Sequence, residues 1–150
     1  MPGAVRIVID GAPVAKGRPK IGRMASGRPV AFTPAKTRSY ESFVRLLGSQ
    51  AMAGRPPMTG PVAMTLTAVF AVPASWSGKK QALAEAGKIV PTSRPDVDNY
   101  VKAAFDALNN VVIRDDSQVV ALQANKAYSR KPRLEIEVSP YLLADMAEAA

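Results

Sequence analysis

The stretch "VAMTLTAVFAV", residues 62–72, carries the clearest two-residue period in the chain. Val62, Met64, Leu66, Phe70 and Val72 point one way and Ala63, Thr65, Thr67 and Ala71 the other, the alternation of a strand with one buried face. Upstream, "TPAKTRSYESFVRLLGSQAMAG" sets Tyr40, Phe43, Val44, Leu47 and Ala51 at helical spacing, with Gly54 as the stop. Earlier still, "VRIVID" (5–10) is short and β-branched and reads as a strand buried on both faces. Downstream, residues 79–86 read as a short helix ended near Gly87. A firmer helix over 98–108 buries Val101, Ala104, Phe105 and Leu108 along one stripe. Asn109 and Asn110 break it, because Asn tolerates the left-handed conformation that ends helices. "VVALQANKAYS" and "RLEIEVS" follow as two antiparallel strands joined by the basic turn "RKP". Ser139 and Pro140 then open a short C-terminal helix over 140–150, with Ser as cap and Pro at its first position. The order β-α-β-(α)-α-β-β predicts an α+β fold in a single domain over 1–150, a mixed sheet of about four strands with two main helices packed on it.

Composition removes whole classes of chemistry. With neither cysteine nor histidine, disulfides, thiolate metal sites, imidazole-bound zinc and Ser/His/Asp machinery are all excluded. Acid–base work falls to Asp, Glu, Lys, Tyr or a metal-bound water. No signal-peptide pattern opens the chain, and the apolar run "PVAMTLTAVFAVPASW" is too short to span a bilayer, so a soluble, cytoplasmic protein without membrane contact is expected.

A net charge of +8 suits a polyanionic partner, although a solvated basic surface gives the same number. Distribution favours the partner. Within residues 1–40, the strand is followed by a segment holding Lys16, Arg18, Lys20, Arg23, Arg28, Lys36 and Arg38. Its Pro and Gly residues mark a loop, and a basic loop can follow a phosphate backbone. Lys126 joins these as a candidate nucleic-acid contact.

Against this basic background, "RPDVDNYVKAAFDALNNVVIRDDSQV" (94–119) gathers two acidic pairs, Asp96/Asp98 and Asp115/Asp116. One Asp at a helix entrance is ordinarily an N-cap, but only one of the first pair can serve so. Lys102 lies four residues after Asp98, and Asp106 four after Lys102, on one stripe of the helix. The stripe is either a pair of surface ion contacts or a cation held beside a carboxylate cluster. Asp115 and Asp116 alone read as a solvated turn. If the chain doubles back after the helix, the second pair meets the first and three or four carboxylates converge. Oxygen-only ligands select hard cations, Mg²⁺ or Mn²⁺, so the acidic region over 94–126 becomes a candidate catalytic region.

The same residues carry a family resemblance. "RPDVDNYVKAAFDALNNVVIRDDSQVVALQANK" resembles the signature of the RusA family of Holliday junction resolvases: "PD-x-DN-x-x-K", then "DAL", then "DD-x-Q". "GAPVAKGRPK" and "FTPAKTRSYE" are similar to that family's N-terminal region. The resemblance implies a Mg²⁺-dependent endodeoxyribonuclease acting in recombination and repair, a homodimer that cuts two strands of a four-way DNA junction symmetrically. It implies catalytic roles for Asp96, Asp98, Lys102 and Asp116, with Asp115 and Asn99 as support or alternative ligands. Tyr100 stands where the family usually has an aliphatic residue, a change that either alters helix packing or offers a base-stacking surface; Trp76 and Tyr100 are the candidates for opening the junction centre, although most single aromatics are core. Two other readings stand beside this one: a non-catalytic basic DNA-binding module, and a metal-dependent phosphatase of a small phosphoester.

Overall fold

The strand read from residues 62–72 is β4 (Val62–Ala71), an interior strand of a four-stranded mixed sheet. The computed structural model describes residues 3–17, 20–23, 25–27, 29–32 and 35–142, with the backbone alone at 20–23 and 29–32. Before β4 come β1 (Val5–Asp10), β2 (Lys20–Arg23), β3 (Pro29–Phe32) and α1 (Ala35–Met52). After it come α2 (Gly78–Glu85), α3 (Val97–Leu108), a single 3₁₀ turn (Asp116–Gln118), β5 (Val119–Ser129) and β6 (Arg133–Pro140). The sheet order is β1-β6-β4-β5, with β5 parallel to β4 and β6 antiparallel to both β4 and β1. The expected α+β class and mixed sheet are therefore what the chain forms.

Burial follows the period of two. Val62, Met64, Leu66 and Ala68 of β4, with Leu134, Ile136 and Val138 of β6, meet Val44 of α1 and Val101, Ala104 and Leu108 of α3. Both long helices pack on the sheet. Gly48 makes their close approach possible. A Cβ built there would lie 3.1 Å from Leu108 Cδ2 and 3.4 Å from Val112 Cγ2. Gly48→Ala gains about 1 kcal/mol of helix propensity, but crowding a packed core costs roughly 1–3 kcal/mol. The expected outcome is a lower urea midpoint at unchanged slope.

Several expectations are corrected. β1 is half-buried rather than buried on both faces: Val5, Ile7 and Ile9 face the core, whereas Val8 is 41 % exposed. Among the described residues it is an edge strand, paired only with β6. β5 and β6 are not a hairpin, because β4 lies between them. The most apolar strand thereby takes the interior position, where both of its edges are hydrogen-bonded. Phe43 is 47 % exposed, since the buried stripe of α1 runs through Thr37, Val44, Gly48 and Met52. Part of the basic loop is a two-stranded hairpin, β2 with β3. Ser139 and Pro140 do not open a helix; they extend β6, where Pro140 lies opposite Val62. Residues 143–150 of that expected helix lie outside the described residues. Among the described residues, no helix is long and apolar enough to cross a membrane.

Candidate active site

α3 begins at Val97, so Asp96 takes the N-cap position, yet its side chain makes no capping hydrogen bond. Asp98 follows in the first turn, and both carboxylates are exposed. Arg94, Pro95, Asp96 and Asn99 line a cleft of about 480 Å³. Pro95 also lines a neighbouring cleft of about 370 Å³ with Lys36, Thr37 and Tyr100. The head of α3 thus lies against the start of α1. Lys36 and Arg38, both exposed, stand in the first turn of α1.

Lys16 has another role. Its Nζ pairs with Asp106 Oδ2 at 2.7 Å and with Glu41 Oε1 at 3.0 Å. Its backbone N–H donates to Asn99 O at 3.0 Å, and Gly17 N donates to Thr37 Oγ1 at 3.2 Å. Partial burial works to lower the Lys16 pKa, but the hydrogen bonds to Asp106 and Glu41 outweigh it and raise the value. The residue is a clamp between α1 and α3, its charge shared by Asp106 and Glu41. The clamp also takes Asp106 from Lys102. Among the described residues Lys102 forms no ion pair, and it stands exposed one turn below Asp98. Lys126 is a tether too: its Nζ donates to Ser93 O at 2.7 Å, just before Asp96. Lys20 and Arg23 sit on the β2–β3 hairpin with only their backbone described, and Arg18 and Arg28 lie outside the described residues.

The second acidic pair is elsewhere. After Leu108 the chain does turn, with Asn110 at φ 66° and its N–H on Ile113 O at 2.7 Å. That turn is then bound to the start of β4 instead of running back along α3. Met58 N donates to Val112 O at 2.8 Å, and Gln118 Nε2 donates to Met58 O at 2.9 Å and Gly60 O at 2.8 Å. Asp115 and Asp116 therefore sit at the foot of α3 and Asp96 and Asp98 at its head. The twelve residues of the helix hold these ends about 18 Å apart. Among the described residues no three acidic side chains gather where they could share a metal ion. The expected convergence of both pairs within one chain is corrected accordingly.

The two members of the second pair differ. Asp115 caps the 3₁₀ turn: Oδ2 accepts from Ser117 N at 3.0 Å, and Gln118 Oε1 accepts in return from Asp115 N at 2.9 Å. The spacing Asp115-x-x-Gln118 is that of a capping box, a signal present in the sequence and not used. Hydrogen bonding from Ser117 holds the Asp115 carboxyl below its ordinary 3.8. A lowered folded-state value stabilises above 3.8, and that contribution disappears as pH falls through the folded value. Asp115→Ala should accordingly lower the urea midpoint at neutral pH, with the deficit vanishing in acid. Asp116 begins the turn, half-buried and without a capping role. Tyr100 is only 2 % exposed, its ring edge-on to Phe70 with centroids 5.7 Å apart, so it belongs to the core and offers no stacking surface.

An exposed acid pair at a helix head beside basic residues suits a hard cation and a phosphate group, but does not by itself name a reaction. Comparison with known proteins gives the family. Residues 10–139 match the family described as endodeoxyribonuclease RusA, and the chain belongs to that family of DNA-cleaving enzymes. It is 42 % identical over 138 residues to the protein YqaN of Bacillus subtilis (strain 168), covering 89 % of this chain and 94 % of that one. It is also 45 % identical over 49 residues to the crossover junction endodeoxyribonuclease rusA of Lactococcus phage r1t, 32 % of this chain and 37 % of the phage protein.

Proposed function

We propose that the chain resolves Holliday junctions in recombination and repair: a homodimer that hydrolyses two strands of a four-way DNA junction symmetrically, with Mg²⁺ or Mn²⁺ as cofactor. The observation that carries this reading is Asp96. A structural Asp at its position would cap α3, typically contributing about 1 kcal/mol. This one makes no such bond and faces the cleft together with Asn99.

The donor chemistry suits a hard cation, but among the described residues one chain brings only two of the implied carboxylates to the head of α3, short of an ion's shell. A two-fold dimer offers the remedy. If the foot of α3 in one chain meets the head of α3 in the other, Asp116 joins Asp96 and Asp98 twice, at symmetry-equivalent positions that suit a two-fold junction. A bound divalent ion supplies Lewis acidity and an activated water. Of the chain's own residues, Asp96, Asp98 and Asp116 are its ligands in this reading, and Asp115 fixes the turn beside Asp116. Lys102, exposed and free of ion pairs among the described residues, stabilises charge on the phosphate oxygens. Arg18, Lys20, Arg23, Arg28, Lys36 and Arg38 bind backbone phosphates, whereas Lys16 and Lys126 hold the scaffold beneath them. A DNA substrate of this kind fits a cytoplasmic enzyme.

The test is incubation of the purified protein with a synthetic four-way junction, a linear duplex and a small phosphoester, with and without Mg²⁺. Paired cuts in the junction that need Mg²⁺ are expected. Binding without cutting would instead favour the non-catalytic module, and turnover of the phosphoester the phosphatase.

A further inference from the structure

β5 carries a second set of groups leading to the head of α3. Lys126 and Tyr128, two residues apart, share one face of the strand, opposite Ala68 and Phe70 of β4. Trp76 packs against Tyr128, with ring centroids 5.3 Å apart and an interplanar angle of 71°. Its backbone is pinned by Gln81, whose Nε2 donates to Trp76 O at 2.8 Å. The Lys80 ammonium lies 4.0 Å from the centre of the Trp76 ring. Lys79, Lys80, Arg130 and Lys131 are all exposed around this point, and Glu85, the acid of α2, is taken by Arg130. At the other end, Lys126 holds the Ser93 carbonyl, three residues before Asp96.

α2 buries Ala84 alone, and Trp76 stays half-exposed with a lysine laid on its ring. Such an exposed cation–π pair is weak. A nucleobase stacking on the ring can displace it, leaving the ammonium for a neighbouring phosphate. Lys80, Trp76 and Tyr128 therefore form one cationic and aromatic ledge, and Lys126, two residues before Tyr128, ties the same strand to Ser93, three residues before Asp96.

We propose that this aromatic ledge binds unpaired DNA: Trp76 stacks a base of a strand flared from its duplex, while Lys79, Lys80 and Lys131 hold the adjoining phosphates and direct that strand toward Asp96. The proposal rests on the endonuclease reading but can fail without it. Trp76 is the only tryptophan in the chain, so its emission reports on the ledge directly. The experiment titrates the protein, with chelator present to prevent cutting, with oligo(dT), a blunt duplex and a four-way junction, following emission and gel shift in parallel. Quenching by oligo(dT) and by the junction, in step with binding, and little quenching by the duplex are expected. Trp76→Ala and the Lys79→Ala/Lys80→Ala double variant should each weaken oligo(dT) binding about tenfold, with Trp76→Phe close to the parent. Should Trp76→Ala fail to fold, the double variant and the parent's own emission still decide. DNA binding with unchanged emission, or equal quenching by the duplex, overturns the ledge and leaves the nuclease reading intact. A protein that shifts no DNA at all overturns both.

Discussion

Asp96→Asn is expected to cut junction cleavage about a thousandfold, the equivalent of roughly 4 kcal/mol of transition-state stabilisation, while junction binding stays within about twofold of the parent. The substitution separates two explanations of the residue cleanly. Asn is as good an N-cap as Asp, so a purely structural Asp96 would tolerate the change without loss of stability or activity. A carboxylate whose charge is needed would not. The observed side chain makes no cap bond, which favours the second explanation. Lys102→Ala should give the same pattern of lost cutting and retained binding, because the ammonium has no ion pair among the described residues whose loss would unsettle the fold. Cleavage rates measured with the junction saturating, beside gel-shift affinities, check both variants.

Tyr100→Ala is expected to have the largest effect on stability, a loss of about 3–5 kcal/mol, as for other large buried aromatic side chains. Tyr100 is in the first turn of α3, 2 % exposed, with its ring against Phe70 of β4. It fixes the head of the helix, and with it Asp96 and Asp98, to the sheet. Urea denaturation reads the loss. Were Tyr100 a base-stacking residue, the same substitution would leave the midpoint nearly unchanged and weaken DNA binding instead.

Local periodicity carried most of the fold. Val62, Met64 and Leu66, and Val101, Ala104 and Leu108, are buried as their spacing indicates, because a two-residue and a 3.6-residue period each leave one face that must meet the core, whereas Phe70, Val72 and Phe105 are only half-buried. What periodicity cannot express is which strand neighbours which. "VVALQANKAYS" and "RLEIEVS" are adjacent in sequence, yet β4 separates them, since strand order answers to long-range burial. Pairing likewise overrode the Ser-Pro helix signal at 139–140, which β6 absorbs opposite β4.

The acidic site was legible as residue types and as a motif, but its geometry was not. Nothing local in "NNVVIRDD" says that the turn will be bound to Met58 and Gly60, contacts about sixty positions away. The clamp made by Lys16 is invisible locally for a similar reason. Its partners Glu41 and Asp106 come from two different helices, so its neighbours in sequence showed only other cations.

The separation of Asp96 from Asp116 along α3 makes a mixing experiment the most direct test. Asp96→Asn chains and Asp116→Asn chains, each inactive alone, are refolded together and incubated with a four-way junction and Mg²⁺. If each site takes its acids from both subunits, a mixed dimer holds one intact site, and single-strand nicking of the junction should return. A mixture that forms mixed dimers yet stays as inactive as its two components would contradict the shared site.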